Sequence, residues 1–281
     1  MKHLLLLSIL TFHFYTFSQE KYPQNYFRNP LNIPIVLSGS FGELRSNHFH
    51  AGLDIKTQGK QGLKVFVAAD GYVSRIKVQQ FGYGKAIYVT HPNGFTTVYG
   101  HLSKFNDEIE AYVKTIQYKK ENYQTGNLFL KKNKFPLKKG EILAYSGDTG
   151  GSGGPHLHFE IRNTATENVI NPLLFGLKVE DTKPPVFQSL KVFALNNDAR
   201  INQQKKSYQI PIKNIGLGKY NANRISASGL IGFGVSVFDR FNKAPNKNGI
   251  YSLEMLVNGK RFYYHDVETF SFAETKFLNL H

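Results

Sequence analysis

Cysteine is absent from this chain of 281 residues. Its absence excludes disulfides and a lipid anchor on a cysteine following a signal segment. Stability must then come from core burial, with a bound metal as a further source. At 41% hydrophobic residues the chain can bury one or two cores. Also missing is an apolar run of the about 20 residues that a membrane-spanning helix needs. The nearest candidate, Leu4 to Phe17, is shorter and follows Lys2 at the start. With small residues near Ser18, residues 1–18 read as a cleaved secretory signal, which predicts export to the periplasm or cell surface. Acidic side chains are scarce: 20 Asp and Glu against 35 Lys and Arg, a formal net charge of +15. Such a protein is drawn to polyanions, among them anionic wall polymers and membrane surfaces. The secretory signal and the lack of any nucleic-acid-binding motif exclude nucleic acid as the expected partner.

What is present reads as mainly β. Residues 19–37 form a polar lead-in with three prolines. Residues 38–179 form a first domain of short strands between glycine turns. "KVFVAAD", "GYVSRIKVQ", "KAIYVTH" and "FTTVYGHL" each show β-branched or aromatic residues in near alternation, and "DG", "FGYG" and "PNG" supply turn chemistry. The pattern predicts an antiparallel sheet. Residues 104–122 differ. Phe105, Ile109, Tyr112, Val113 and Ile116 recur at helical spacing, which predicts one amphipathic helix. A lysine-rich, loop-like stretch follows, and residues 104–140 hold nine Lys against four Asp or Glu. The basic run 131–139 reads as a solvated surface, with an acidic wall polymer as its alternative partner. "EDTKPP" (180–185) reads as a linker. Residues 186–281 show spaced strands with "NKNG" and "VNGK" turns, which predicts a β-sandwich-like module. No final strand is legible before His281, so this module is expected to be incomplete. No solenoid repeat is present.

"GGPHLHFEI" (153–161) carries two histidines one residue apart. In a strand they share a face, while Leu157 and Phe159 point to the other. "NHFHAGLDI" holds His50 and Asp54, and "YGHLS" holds His101. Imidazole and carboxylate are zinc ligands, and a catalytic zinc keeps three protein ligands plus an open position where water is acidified to a pKa of about 7. His50, Asp54 and one histidine of the 156/158 pair make such a set. A remaining histidine is then free to accept a proton or stabilise an oxyanion. Glu160 shares the face of His156 and His158, so it either orients a ligand or is a surface charge. His48 has the parity of His50; a solvated or packing role is expected, with support of a ligand as the alternative. His91 in "THPNG" reads as turn decoration, and His265 receives no role. The glycines of "SGDTGGSGGP" (146–155) lack the ending of a phosphate loop and instead allow tight turns and close approach of a peptide backbone.

"HAGLD" (50–54), "YGHLS" (99–103) and "GPHLHFEI" (154–161), in this order, resemble the M23 family of zinc metallopeptidases, the lysostaphin-like or LytM-type peptidoglycan endopeptidases. The resemblance covers about residues 38–175. It implies a small antiparallel β-sheet with a groove over one zinc ion per chain. It implies that His50, Asp54 and His158 bind that ion and that His101 and His156 are catalytic without binding it. It implies hydrolysis of peptide bonds in peptidoglycan cross-links. One departure stands out: residues 105–137 intervene where compact members pass directly from "HLS" to a "KKGEIL"-like segment, and this insert is expected to line or lid the groove. Two other functions fit the sequence. One is a non-catalytic module that binds the wall or activates another hydrolase. The other is an extracellular protease with a protein substrate. The C-terminal module is a candidate surface for a protein partner.

Overall fold

The computed structural model describes residues 21–275 and residue 277, so the expected secretory signal lies outside the described residues. The first half of the chain is built on one antiparallel sheet. Its strands are β1 (Leu37–Gly39), β2 (Leu53–Lys56), β4 (Gly71–Val78), β5 (Lys85–Thr90), β6 (Phe95–Leu102), β8 (Gly126–Phe129) and β11 (His156–Asn163). They lie in the order β1-β2-β11-β6-β5-β4-β8. A second sheet packs β10 (Ile142–Tyr145) between β3 (Lys64–Phe66) and β7 (Lys104–Phe105). Side chains alternate across the pleat, so one face of the large sheet supplies Leu53, Ile55, Tyr99, Leu157, Phe159 and Ile161 to the main core. The opposite face of β11 carries His156, His158, Glu160 and Arg162. It is not open to water either: Glu160 and Arg162 are buried beside a small cluster of Ala86, Tyr88 and Val98.

The predicted helix is α1 (Asp107–Lys120). Asn106 caps it by accepting from the Ile109 amide at 3.0 Å, and acids in the first turn and lysines in the last complement its dipole. Ile109 and Val113 are its buried contacts with the core. The stretch after it is not loop alone. β8 and β9 (Pro136–Leu137) both pair with β4, so the insert extends the sheet edge opposite β1. Their alternation is too short, at four and two residues, to stand out among the surrounding lysines. The lead-in also departs from its polar reading. Phe27, Leu31 and Ile35 plug into the main core; their four-residue spacing looks helical, but with Pro30 and Pro34 among them no helix forms there.

Beyond residue 185 the chain is again β. Val186–Ala194 lies between Tyr208–Ile210 and Ile231–Phe238 in a three-stranded sheet, with three two-stranded ribbons around it. Its own core is small, centred on Val192, Ile201 and Ile210. The chain then returns to the first sheet. Thr269–Phe270 pairs with β12 (Val169–Ile170), itself paired with β11, and the Phe49 amide donates to Thr275 Oγ1 at 2.8 Å.

Candidate metal centre

β2 and β11 run antiparallel with Asp54 opposite His158 and Lys56 opposite His156. This register, not proximity in sequence, brings residues 104 positions apart onto one face. His50 enters from the turn before β2. Its Nε2 lies 3.0 Å from Asp54 Oδ1 and 3.2 Å from His158 Nδ1, and the last two atoms are 2.9 Å apart. All three residues are buried. Zinc bonds of about 2.0–2.2 Å in a tetrahedral site place neighbouring donors about 3.3–3.5 Å apart. The observed triangle therefore fits one ion after small outward movements. The donor chemistry, two imidazoles and a carboxylate, is that of a catalytic zinc site with an open position.

Each ligand is oriented from behind. The His50 Nδ1–H donates to the Ser40 carbonyl at 2.7 Å, which turns Nε2 toward Asp54 and His158 and leaves it as the atom able to meet a cation. His158 is held through Nε2, 2.8 Å from Glu160 Oε1, leaving Nδ1 facing Asp54. Glu160 in turn accepts from Arg162 at 2.6 Å and from the Tyr83 hydroxyl, and the Tyr83 ring stacks on His158. Of the two readings left open for Glu160, the surface charge is excluded by its complete burial, and its contact with His158 Nε2 agrees with the orienting one. Arg45 donates to the other Asp54 oxygen at 3.0 Å. A Cβ on Gly39 would lie 2.5 Å from Arg45 Nη2 and 2.6 Å from Asp54 Oδ2, so any larger residue there must displace the Arg45–Asp54 pair.

These contacts set the charges. Burial alone would raise the Asp54 carboxyl, but hydrogen bonds from His156, His158 and His50 outweigh it and hold the group well below the usual carboxylate range. Glu160, likewise opposed by burial, is pulled down to about 2 by Arg162 and His158. Burial would lower His158, yet Asp54 and Glu160 raise it to about 9 without a metal. Both carboxylates are therefore charged at neutral pH, as a cation site requires.

The other two predicted residues stand beside the triangle. The His156 ring nitrogen Nδ1 donates to the Gly154 carbonyl at 2.8 Å, and its Nε2 lies 3.5 Å from Asp54 Oδ1. His101, at the end of β6, has a left-handed backbone with φ of 58°, a conformation that a non-glycine residue adopts only at a cost. The turn aims its ring at His156, centroid to centroid 4.7 Å. Its Nδ1–H donates to the Thr149 carbonyl at 2.8 Å, leaving Nε2 as an acceptor. Burial lowers His101 to about 4, and the positive neighbour His158 adds to this, so it is neutral at pH 7.

His48 is exposed and bonds Asn47, 2.6 Å from Nδ1 to Oδ1; it touches none of the three ligands. His91 is not turn decoration. It is buried, with Nδ1 2.9 Å from the Asp70 carbonyl and Nε2 2.9 Å from Thr97 Oγ1. Tyr83, Arg45, Arg162 and Thr149 went unnoticed in the sequence. Strand parity with His158 and Glu160 marks Arg162; nothing local marks the other three, which arrive from separate loops.

Residues 48–120 match the model of peptidase family M23. Over 134 residues the chain is 33% identical to the DD-carboxypeptidase/endopeptidase Mpg of Neisseria meningitidis, covering 48% of this chain and 24% of that protein. Over 170 residues it is 31% identical to an uncharacterized metalloprotease of Haemophilus influenzae, covering 58% and 30%. The chain thus spans less than a third of the length of these curated relatives. Among solved structures, the catalytic domain of lysostaphin from Staphylococcus simulans aligns at 23% identity over 50% of this chain and 88% of that one, with a TM-score of 0.35.

Proposed function

We propose, on the premise that this chain carries a domain of peptidase family M23, that it is an exported, zinc-dependent endopeptidase acting on the peptide cross-links of peptidoglycan. The observation that carries the proposal is the convergence of His50 Nε2, Asp54 Oδ1 and His158 Nδ1 within 3.2 Å of one another, with His101 and His156 alongside. A zinc ion held there would supply Lewis acidity toward a peptide carbonyl and lower the pKa of water.

The chain's own residues do the rest. His50, Asp54 and His158 hold the cation, with their remaining polar atoms committed to Ser40, Arg45 and Glu160. His101, neutral and with a free Nε2, takes a proton from the attacking water and passes one to the departing amine. His156, its Nδ1–H fixed on Gly154, stands on the same side to stabilise charge developing on the carbonyl oxygen. The complete ligand set favours catalysis over a purely binding role.

Digestion of purified peptidoglycan by zinc-loaded protein, with new termini identified by mass spectrometry, tests this reading. Release of muropeptide ends that stops on chelation and returns with zinc is expected. Intact cross-links after prolonged digestion with protein that holds one zinc per chain would overturn it.

A further inference from the structure

Beside the three donor atoms runs a cleft of about 560 Å³, and its charge is lopsided. Arg45, Lys56 and Asp54 are its ionisable lining residues besides His156. Asp54 is committed to the metal ligands and to Arg45. Lys56 lies two residues after Asp54 on β2, on the same face and opposite His156. Among the described residues no hydrogen bond or ion pair engages its ammonium. Arg45 spends one nitrogen on Asp54 and keeps its side chain 37% exposed. A bound divalent cation would add to this positive excess.

The opposite rim is bare. A Cβ on Gly153 would meet nothing within 4 Å, so a peptide backbone can approach closely. One residue of the wall, Asn246, comes from the C-terminal region. Its side-chain oxygen has no hydrogen-bond partner. Its loop is anchored where the Gly249 amide donates to Ser40 Oγ at 3.0 Å, on the residue whose carbonyl orients His50. One cation, Lys56, stands without an anionic partner among the described residues, beside an Arg45 that is paired with Asp54 and Glu43 but partly exposed. With the unpartnered Asn246 oxygen they suit a peptide end: an N–H for Asn246 and an anion for Lys56 and the exposed side of Arg45.

We infer that this cleft is a carboxylate subsite of the substrate groove, lined in part by Asn246 of the C-terminal region, which gives that region a part in substrate selection. The inference rests on the peptidase reading for the nature of the ligand, and its test reads binding rather than turnover. The carboxylate is either a free peptide terminus or an acidic side chain, and the two are separable.

Calorimetric titration of the zinc-loaded full chain would use three probes. These are acetyl-L-Lys-D-Ala-D-Ala as the free acid, its C-terminal amide, and the amide carrying glutamate in the last position. Charge-assisted hydrogen bonds predict that the free acid binds about tenfold to a hundredfold more tightly than the amide. Recovery of that affinity by the glutamate probe identifies a side-chain carboxylate as an equal ligand; no recovery assigns the subsite to the terminus. Lys56→Ala, with zinc content verified, reduces the acid-over-amide preference to less than about threefold, while Asn246→Ala weakens acid and amide alike. Equal affinity of acid and amide, no binding of any probe, or a preference unchanged in Lys56→Ala overturns the inference, whatever the cleavage assay shows. A preference without cleavage of any wall substrate leaves the subsite standing and removes the peptidase reading instead.

Discussion

His91 makes the fold acid-sensitive by a calculable amount. Burial pushes its imidazole down from 6.5 to about 4, while the Asp70 carbonyl partly opposes this. The neutral ring donates from Nδ1 to that carbonyl and its Nε2 lies 2.9 Å from the Thr97 hydroxyl; burial penalises the charge that a second proton would bring. The unfolded chain protonates this histidine first. Its contribution is therefore whole above pH 6.5 and is lost as pH falls from 6.5 toward 4. At about 1.36 kcal/mol per pH unit the ceiling is about 3 kcal/mol, and about 2.5 kcal/mol disappears between about pH 7.5 and about pH 4.5. His101, also lowered to about 4, adds a loss of the same sign, so the comparison must isolate His91. Urea unfolding of the full chain in chelator, wild type against His91→Asn, does so. The variant carries its own packing cost at every pH, but its stability should fall by about 2.5 kcal/mol less across that interval. Parallel losses in the two proteins, or a resonance assigned to the His91 imidazole titrating near 6.5 in the folded wild type, would refute the reasoning.

Three further outcomes concern the metal centre. Glu160→Gln keeps shape but removes the charge behind His158, so zinc affinity measured by competition with a chromophoric chelator should fall about 10-fold to 100-fold; an unchanged affinity would detach Glu160 from the site. His101→Ala should retain one zinc per chain yet lose about 10²-fold to 10⁴-fold in turnover of a wall substrate; equal loss of metal would make His101 a ligand, and full turnover would leave it without a role. Gly39→Ala should drive Asp54 and Arg45 apart, because the new methyl would start 2.5–2.6 Å from both. It should lower zinc occupancy by elemental analysis, and normal occupancy with an unshifted melting temperature would mean β1 moves freely there.

The antiparallel strands and the helix were legible because their periods are local. Alternation in β4, β5, β6 and β11 and the 3.6-residue spacing of Ile109, Tyr112, Val113 and Ile116 need no tertiary information. β8 and β9 escaped because two to four residues carry too little pattern, and they exist only where β4 offers an unpaired edge. The lead-in escaped because Phe27, Leu31 and Ile35, though four residues apart, are interrupted by prolines and fill core gaps from irregular chain rather than from a helix or strand. His91 escaped because a turn-like "HPNG" says nothing about which way the ring folds.

The sequence alone marked residue types that bind cations and placed His156, His158 and Glu160 on one face, since a strand's two-residue repeat leaves no choice. It also marked His50, Asp54 and His101 through their motifs. Only the tertiary structure decided which nitrogen of each ring points inward: Ser40 and Thr149 reach His50 and His101 across loops, and even the near neighbours Glu160 and Gly154 fix His158 and His156 only through the folded backbone and side-chain geometry. It alone decided that Arg45, Lys56 and Asn246 share one cleft. Side-chain type and parity are properties of a few neighbouring residues, whereas register and loop packing are set by the free energy of the whole chain.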